Sequence, residues 1–183
     1  MRDKSKMLMY FLIGSEAFFF IALIIAYVYY RNFSGATDTV AEYLNVQRAS
    51  ILTVCLMSSS FTLIAGKKQL IKGNIPRFKL FTGITLSLAV IFLAGQLYEY
   101  LELYKKQVTI SDSVFGSSFF TLTGFHGMHV FLGLVAISLL FVFSFGKFRI
   151  LISRGIHSIE LYWHFVDVVW LFIFFFVYIS PLL

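Results

Sequence analysis

Five long apolar stretches, at about residues 7–30, 48–66, 79–101, 114–145 and 157–182, decide what this chain can fold into. A helix rising ~1.5 Å per residue needs ~20 mostly apolar residues to cross ~30 Å of hydrocarbon. Lipid holds no water to satisfy stray backbone N–H and C=O groups, so runs of this length must be helices. The fourth run exceeds one crossing, which predicts tilt or extension beyond the lipid. The chain is 59% hydrophobic and 13% charged, with 23 Phe among 183 residues, more apolar surface than a water-soluble domain can hide. The expected fold is an all-α integral membrane protein, a single domain over 1–183 built as a five-transmembrane-helix bundle. The segments between the runs are polar or turn-forming, among them RNFSGATDTVAEYLNVQR and GKKQLIKGNIPRFK, with no internal repeat or soluble domain.

The net charge of +6 would suit a nucleic-acid binder, but the basic residues sit in the loops beside the apolar runs, so no nucleic-acid partner is expected. Eleven of the fifteen Lys and Arg fall on one side, in the N-terminal segment and the loops after runs two and four. The positive-inside rule then places the N-terminus in the cytoplasm and the C-terminus outside. Tyr27, Tyr29, Tyr30, Tyr98, Tyr100 and Tyr104 gather at the outer ends of runs one and three, where an aromatic belt is expected. The N-terminal run is too long for a signal-peptide core and no small-residue cleavage site follows it, so it is read as a retained span. The lone cysteine, Cys55, excludes an intrachain disulfide, a CxxCH haem attachment and a thiolate cluster, and reads as a small buried apolar residue.

Ionisable side chains inside the runs are costly, by ~2.5–3.5 kcal/mol on insertion scales, so they are expected to face the bundle interior. They are Glu16 in run one, His126 and His129 in run four, and Glu160, His164 and Asp167 in run five. Counting ~1.5 Å per residue from the run ends puts Glu16, His126, His129, His164 and Asp167 roughly 10–18 Å in from the cytoplasmic edge. Positions 160, 164 and 167 share one helix face, as do 126 and 129. Gly124, Gly127 and Gly133 predict close packing of run four on a neighbour. A buried polar cluster follows, in which histidines and carboxylates pair with one another. Three roles fit it: hydrogen-bonded joints between helices, proton handling by histidine and a desolvated glutamate, or a metal or haem site within the bundle. The third is the thinnest. A four-helix di-metal centre needs two Glu-x-x-His pairs and two further glutamates, and the chain has no Glu-x-x-His. Lys147 and Arg149, at the inner headgroup level, could hold a lipid phosphate or simply supply positive-inside charge.

Four stretches carry a resemblance. TISDSVFGSSFFTLTGFHGMHVFLG and, further on, YWHFVDVVWLFIF closely resemble subunit III of the haem–copper terminal oxidases, cytochrome c or quinol oxidases. FLIGSEAFFF resembles that family's span with a lone glutamate, and AGQLYEY its Gln-x-x-Glu-Tyr segment, which makes Glu99 a family-matching outer acid. The chain looks like the short, five-helix form, which lacks the first two spans of the longer one. The resemblance implies a non-catalytic subunit of a respiratory oxidase that reduces dioxygen to water and pumps protons, with no active site on this chain. It implies no haem or copper here, those lying on partner subunits, and it implies packing on subunit I, bound phospholipid, support of proton uptake and a bacterial inner membrane location. By the resemblance, His126 and His129 match family positions that are not metal ligands, Glu16 matches the family's intramembrane glutamate, and His126, His129, His164 and Asp167 match the core of its two signatures. One departure stands out: His157 occupies a position where the family often has a glutamate, and Glu160 lies only two residues before Tyr162. The other reading is an independent membrane metalloenzyme with a His/carboxylate site in the bundle.

Overall fold

The structure, a computed structural model, describes residues 2–33, 44–108, 114–146 and 149–182. It is built from α1 (Arg2–Phe33), α2 (Val46–Ile71), α3 (Ile75–Lys105), α4 (Val114–Phe143) and α5 (Arg149–Phe174). A π turn, Phe175–Ile179, and a 3-10 turn, Ser180–Leu182, finish α5. All five helices are long and apolar enough to cross a membrane.

Local chemistry sets the helix ends. Asn45 accepts from the Arg48 N–H at 3.0 Å and caps α2, and Asn74 accepts from the Arg77 N–H at 3.2 Å and caps α3. Both satisfy donors that a helix start leaves orphaned. Pro76 sits in the first turn of α3, where its missing N–H costs nothing. Between α2 and α3 the chain reverses through Lys72, Gly73 and Asn74, and Gly73 takes φ 79°, a left-handed conformation that favours glycine. The Gly73 and Asn74 N–H groups return to the carbonyls of Leu70 and Gln69 and close the end of α2.

This turn makes α2 and α3 an antiparallel hairpin with the most extensive helix–helix contact among the described residues. α3 packs on α4, α4 on α5 and α5 back on α2, closing a four-helix ring, and α1 lies in the groove between α4 and α5. Trp163, Trp170, Phe92, Phe119, Leu56 and Leu63 are fully buried inside the ring, while Phe11, Phe18, Phe61, Leu80, Phe131 and Phe172 face outward. An exterior this apolar is a lipid- or protein-facing surface.

The glycines of α4 do not act alike. At Gly133 an added Cβ would lie 2.7 Å from Cε3 and Cζ3 of Trp163, so the two helices approach through a missing side chain. At Gly124 the nearest atom is the Tyr100 hydroxyl at 3.7 Å, and at Gly127 nothing lies within 4 Å. Gly133→Ala is therefore expected to cost about 1–3 kcal/mol, because the buried indole cannot move aside. Gly127→Ala should stay within about 0.5 kcal/mol of the parent. Thermal unfolding of the purified chain in detergent, both variants side by side, measures the difference.

The tyrosines also divide. Tyr29, Tyr98 and Tyr104 are exposed at the helix ends, as a belt requires, but Tyr27 is fully buried and Tyr100 is half-buried, its hydroxyl 2.7 Å from the Thr123 hydroxyl. Tyr27 lies two residues from Tyr29 and so turns inward on the same helix.

Candidate functional site

The ionisable groups of the spans form separate joints rather than one cluster. In the first, α1 meets α4. The His129 Nδ1 lies 2.7 Å from the Phe125 carbonyl, and its Nε2 lies 3.1 Å from a Glu16 carboxyl oxygen. A carbonyl can only accept, so Nδ1 carries a proton. Nε2 then either donates to a carboxylate or accepts from a carboxylic acid. Both arrangements hold the same number of protons and are neutral overall, which suits an apolar setting. The Tyr162 hydroxyl of α5 donates to the His129 carbonyl at 3.1 Å, and the Phe20 ring meets the imidazole edge-on at 5.0 Å.

In the second joint, α2 meets α5. Ser60 donates its hydroxyl hydrogen to Asp167, and its oxygen lies 3.0 Å from Nδ1 of His164. The three groups form a donor chain from imidazole N–H to hydroxyl to carboxyl. The third joint lies about two turns away, at the end of the bundle bearing most Lys and Arg. Here Lys67 of α2 pairs with Glu160 of α5, and the Lys67 Nζ also reaches His157 Nδ1 at 3.3 Å. Two tryptophans complete the seam between these helices: Trp163 Nε1 donates to Ser59 Oγ at 3.0 Å and Trp170 Nε1 to Thr53 Oγ1 at 2.9 Å.

Glu16 and His129 thus come together, and so do His164 and Asp167, through Ser60. Glu160 stands apart with Lys67. His126 departs from the expectation of paired histidines. It is fully buried, neither ring nitrogen has a hydrogen-bond partner, and its ring stacks on Trp170 at 5.0 Å with Phe92 and Phe20 edge-on. The face of α4 that carries it looks into aromatic packing, with no carboxylate bonded to it among the described residues. Glu99 is buried near the other end of the bundle, where Tyr178 donates to it at 2.6 Å and Gln96 at 3.4 Å. Lys147 and the side chain of Arg149 lie outside the described residues.

Sequence reasoning passed over Ser60, Lys67 and Thr53. A signal was present: the three are spaced by seven along α2, so one helix face offers a hydroxyl, a hydroxyl and an ammonium to α5. It also passed over two joints at the far end. Arg31 donates to the Phe176 carbonyl and to Ser180, capping carbonyls left by the terminal turns, and Arg48 pairs with Glu102 over the face of Tyr98.

Chemically, each joint bonds one helix to another. Among the described residues no three His, Cys, Asp or Glu side chains converge as a metal ion would need. A surface groove on α4, lined by Phe120, Thr121, Gly124, Phe125 and Met128, contains no ionisable group.

Comparison with known proteins matches residues 2–181 to the cytochrome c oxidase subunit III family. The chain is 37% identical to cytochrome c oxidase subunit 3 of Corynebacterium diphtheriae over 170 residues, covering 91% of this chain and 83% of that one. It is 35% identical to the Synechocystis subunit 3 over 168 residues, covering 90% and 71%. It is 32% identical to the Bacillus subtilis subunit 3 over 182 residues, covering 98% and 88%.

Proposed function

The chain belongs to the cytochrome c oxidase subunit III family, and from that membership we propose that it serves as the non-catalytic subunit III of a respiratory haem–copper oxidase. It is a multi-pass membrane protein of an oxidase complex with other subunits. The complex reduces dioxygen to water and pumps protons; haem and copper sit on the partner subunits. This chain packs on subunit I, holds phospholipid and supports proton uptake and stability, in a bacterial inner membrane with its N-terminus in the cytoplasm. The observation that carries this reading is the family match over residues 2–181, nearly the whole chain.

The polar joints fit an architectural role. Among the described residues three joints at membrane depth bridge two different helices: Glu16 with His129, Asp167 and His164 with Ser60, Glu160 with Lys67. Each fixes the neighbour and rotation of a helix, which apolar packing in lipid specifies only loosely. Lys147 and Arg149 are proposed contacts for a lipid phosphate.

Affinity purification through a tag on this chain tests the reading. It should bring down a haem-containing membrane complex that consumes dioxygen; elution of the chain alone would contradict it. For Glu16→Gln, turnover of the assembled oxidase should stay within about twofold of the parent, since glutamine still bonds to His129 and one such bond is worth about 1 kcal/mol. Oxygen-electrode assays check this, and abolished turnover would assign Glu16 an obligatory part in proton transfer.

A further inference from the structure

Most of the outward surface is apolar, but one face of α5 carries two histidines among its apolar residues. His157, Leu161, His164, Val168, Phe172 and Phe175 recur at helical spacing along it, and all six are exposed or half-buried. His164 is the informative one. Its Nδ1 is held by Ser60, its Nε2 makes no hydrogen bond among the described residues, and the ring is only half-buried. It lies nine residues beyond Gly155, where the apolar part of α5 begins, so about 13 Å along the helix. Neither water nor a lipid headgroup is at hand at that depth, and a polar group left to acyl chains there is penalised. By contrast, Phe131, Leu132, Val135 and Leu139 on α4, and Leu80, Ile84 and Ile91 on α3, offer only hydrocarbon. Glu16 is also partly open at this level, its side chain 31% exposed, and its carboxyl is already engaged by His129.

We propose that this face of α5 is the seat for a transmembrane helix of a neighbouring oxidase subunit, which presents a hydroxyl, amide or carboxyl group level with the His164 Nε2. The proposal rests on the reading of this chain as an oxidase subunit and adds which of its faces meets the neighbour. The Ser60–Asp167 pair behind the imidazole holds the ring in place, so the partner group meets a fixed nitrogen. Above it, Val168, Phe172 and Phe175 supply the apolar part of the seat.

Photocrosslinking in the assembled oxidase tests this. A benzophenone amino acid at Val168 or Phe172 should give adducts with another oxidase subunit, and the same probe at Leu132 or Leu139 should give lipid adducts. Lipid adducts alone from Val168 and Phe172, adducts joining two copies of this chain, or subunit adducts only from Leu132 and Leu139 would overturn the proposal. A second measurement follows retention of the subunit through purification. His164→Leu should lower it at least about tenfold, and His164→Gln, which keeps hydrogen-bonding atoms, should restore most of it; equal loss from both variants would count against a partner bond. Should the unaltered chain bring down no other oxidase subunit, the reading beneath the proposal fails with it. Subunit adducts confined to α4 in an intact complex would overturn the proposal alone.

Discussion

Trp163→Ala is expected to lower the stability of the chain by about 3 kcal/mol, enough to remove most of the folded protein from membranes. Lipid is as apolar as the bundle interior, so little of that loss comes from transfer. It comes from packing and from one hydrogen bond. The indole is fully buried, lies against Gly133 where α4 has no side chain, and donates to Ser59 on α2. One ring therefore sets the spacing of three helices, and alanine leaves a cavity that none can fill without losing other contacts. Trp163→Phe keeps part of the volume and loses the donor, so it should fall between the two. Protein yield in membranes and the unfolding midpoint in detergent should both follow that order.

Lys67→Ala is expected to cost about 2–3 kcal/mol, because it takes the ammonium partner from the Glu160 carboxylate, whose side chain is 11% exposed. The double variant Lys67→Met with Glu160→Leu should recover most of this, since an apolar pair of similar bulk leaves no charge unpaired. That recovery separates two roles for the joint. An architectural joint tolerates apolar replacement of both partners. A proton-handling group does not: turnover of the oxidase would then fall in the double variant even where yield and midpoint return. Measuring yield, midpoint and oxygen consumption on the two singles and the double decides between them.

The five-helix fold was legible because lipid permits few alternatives: an apolar run that long must be a helix. Helix ends were less so. The structure carries α2 through Lys67 and Lys68 to Ile71, starts α3 at Ile75 and starts α5 at Arg149, all at the end rich in Lys and Arg. Basic side chains lay their stems along the helix while the ammonium reaches outward, so backbone helix outlasts the apolar run. That Asp167 and His129 would turn inward was legible too, because the insertion cost is written in the residue itself, whereas Glu16 and His164 stay partly open. Partner choice was not. Asp167 bonds to a serine, Glu160 to a lysine at the edge of its run, and His126 to nothing polar, because the residues facing each of them come from other helices. Helical spacing places a group on a face of its own helix; only the packed bundle says what that face meets. Glu99 shows the same limit: its match to the family marked it, and Tyr178, which binds it, arrives through a terminal π turn that no apolar pattern announces.

The distribution of iron and copper among separated subunits tests most sharply whether this chain is free of redox centres. The complex would be purified through this chain, its subunits parted in mild detergent, and each examined for haem absorption and metal content, with circular dichroism confirming that the chain keeps its helices. Haem and copper should travel with the partner subunits and leave this chain colourless, with metal at background. Stoichiometric iron or copper retained on the folded, separated chain would contradict this expectation.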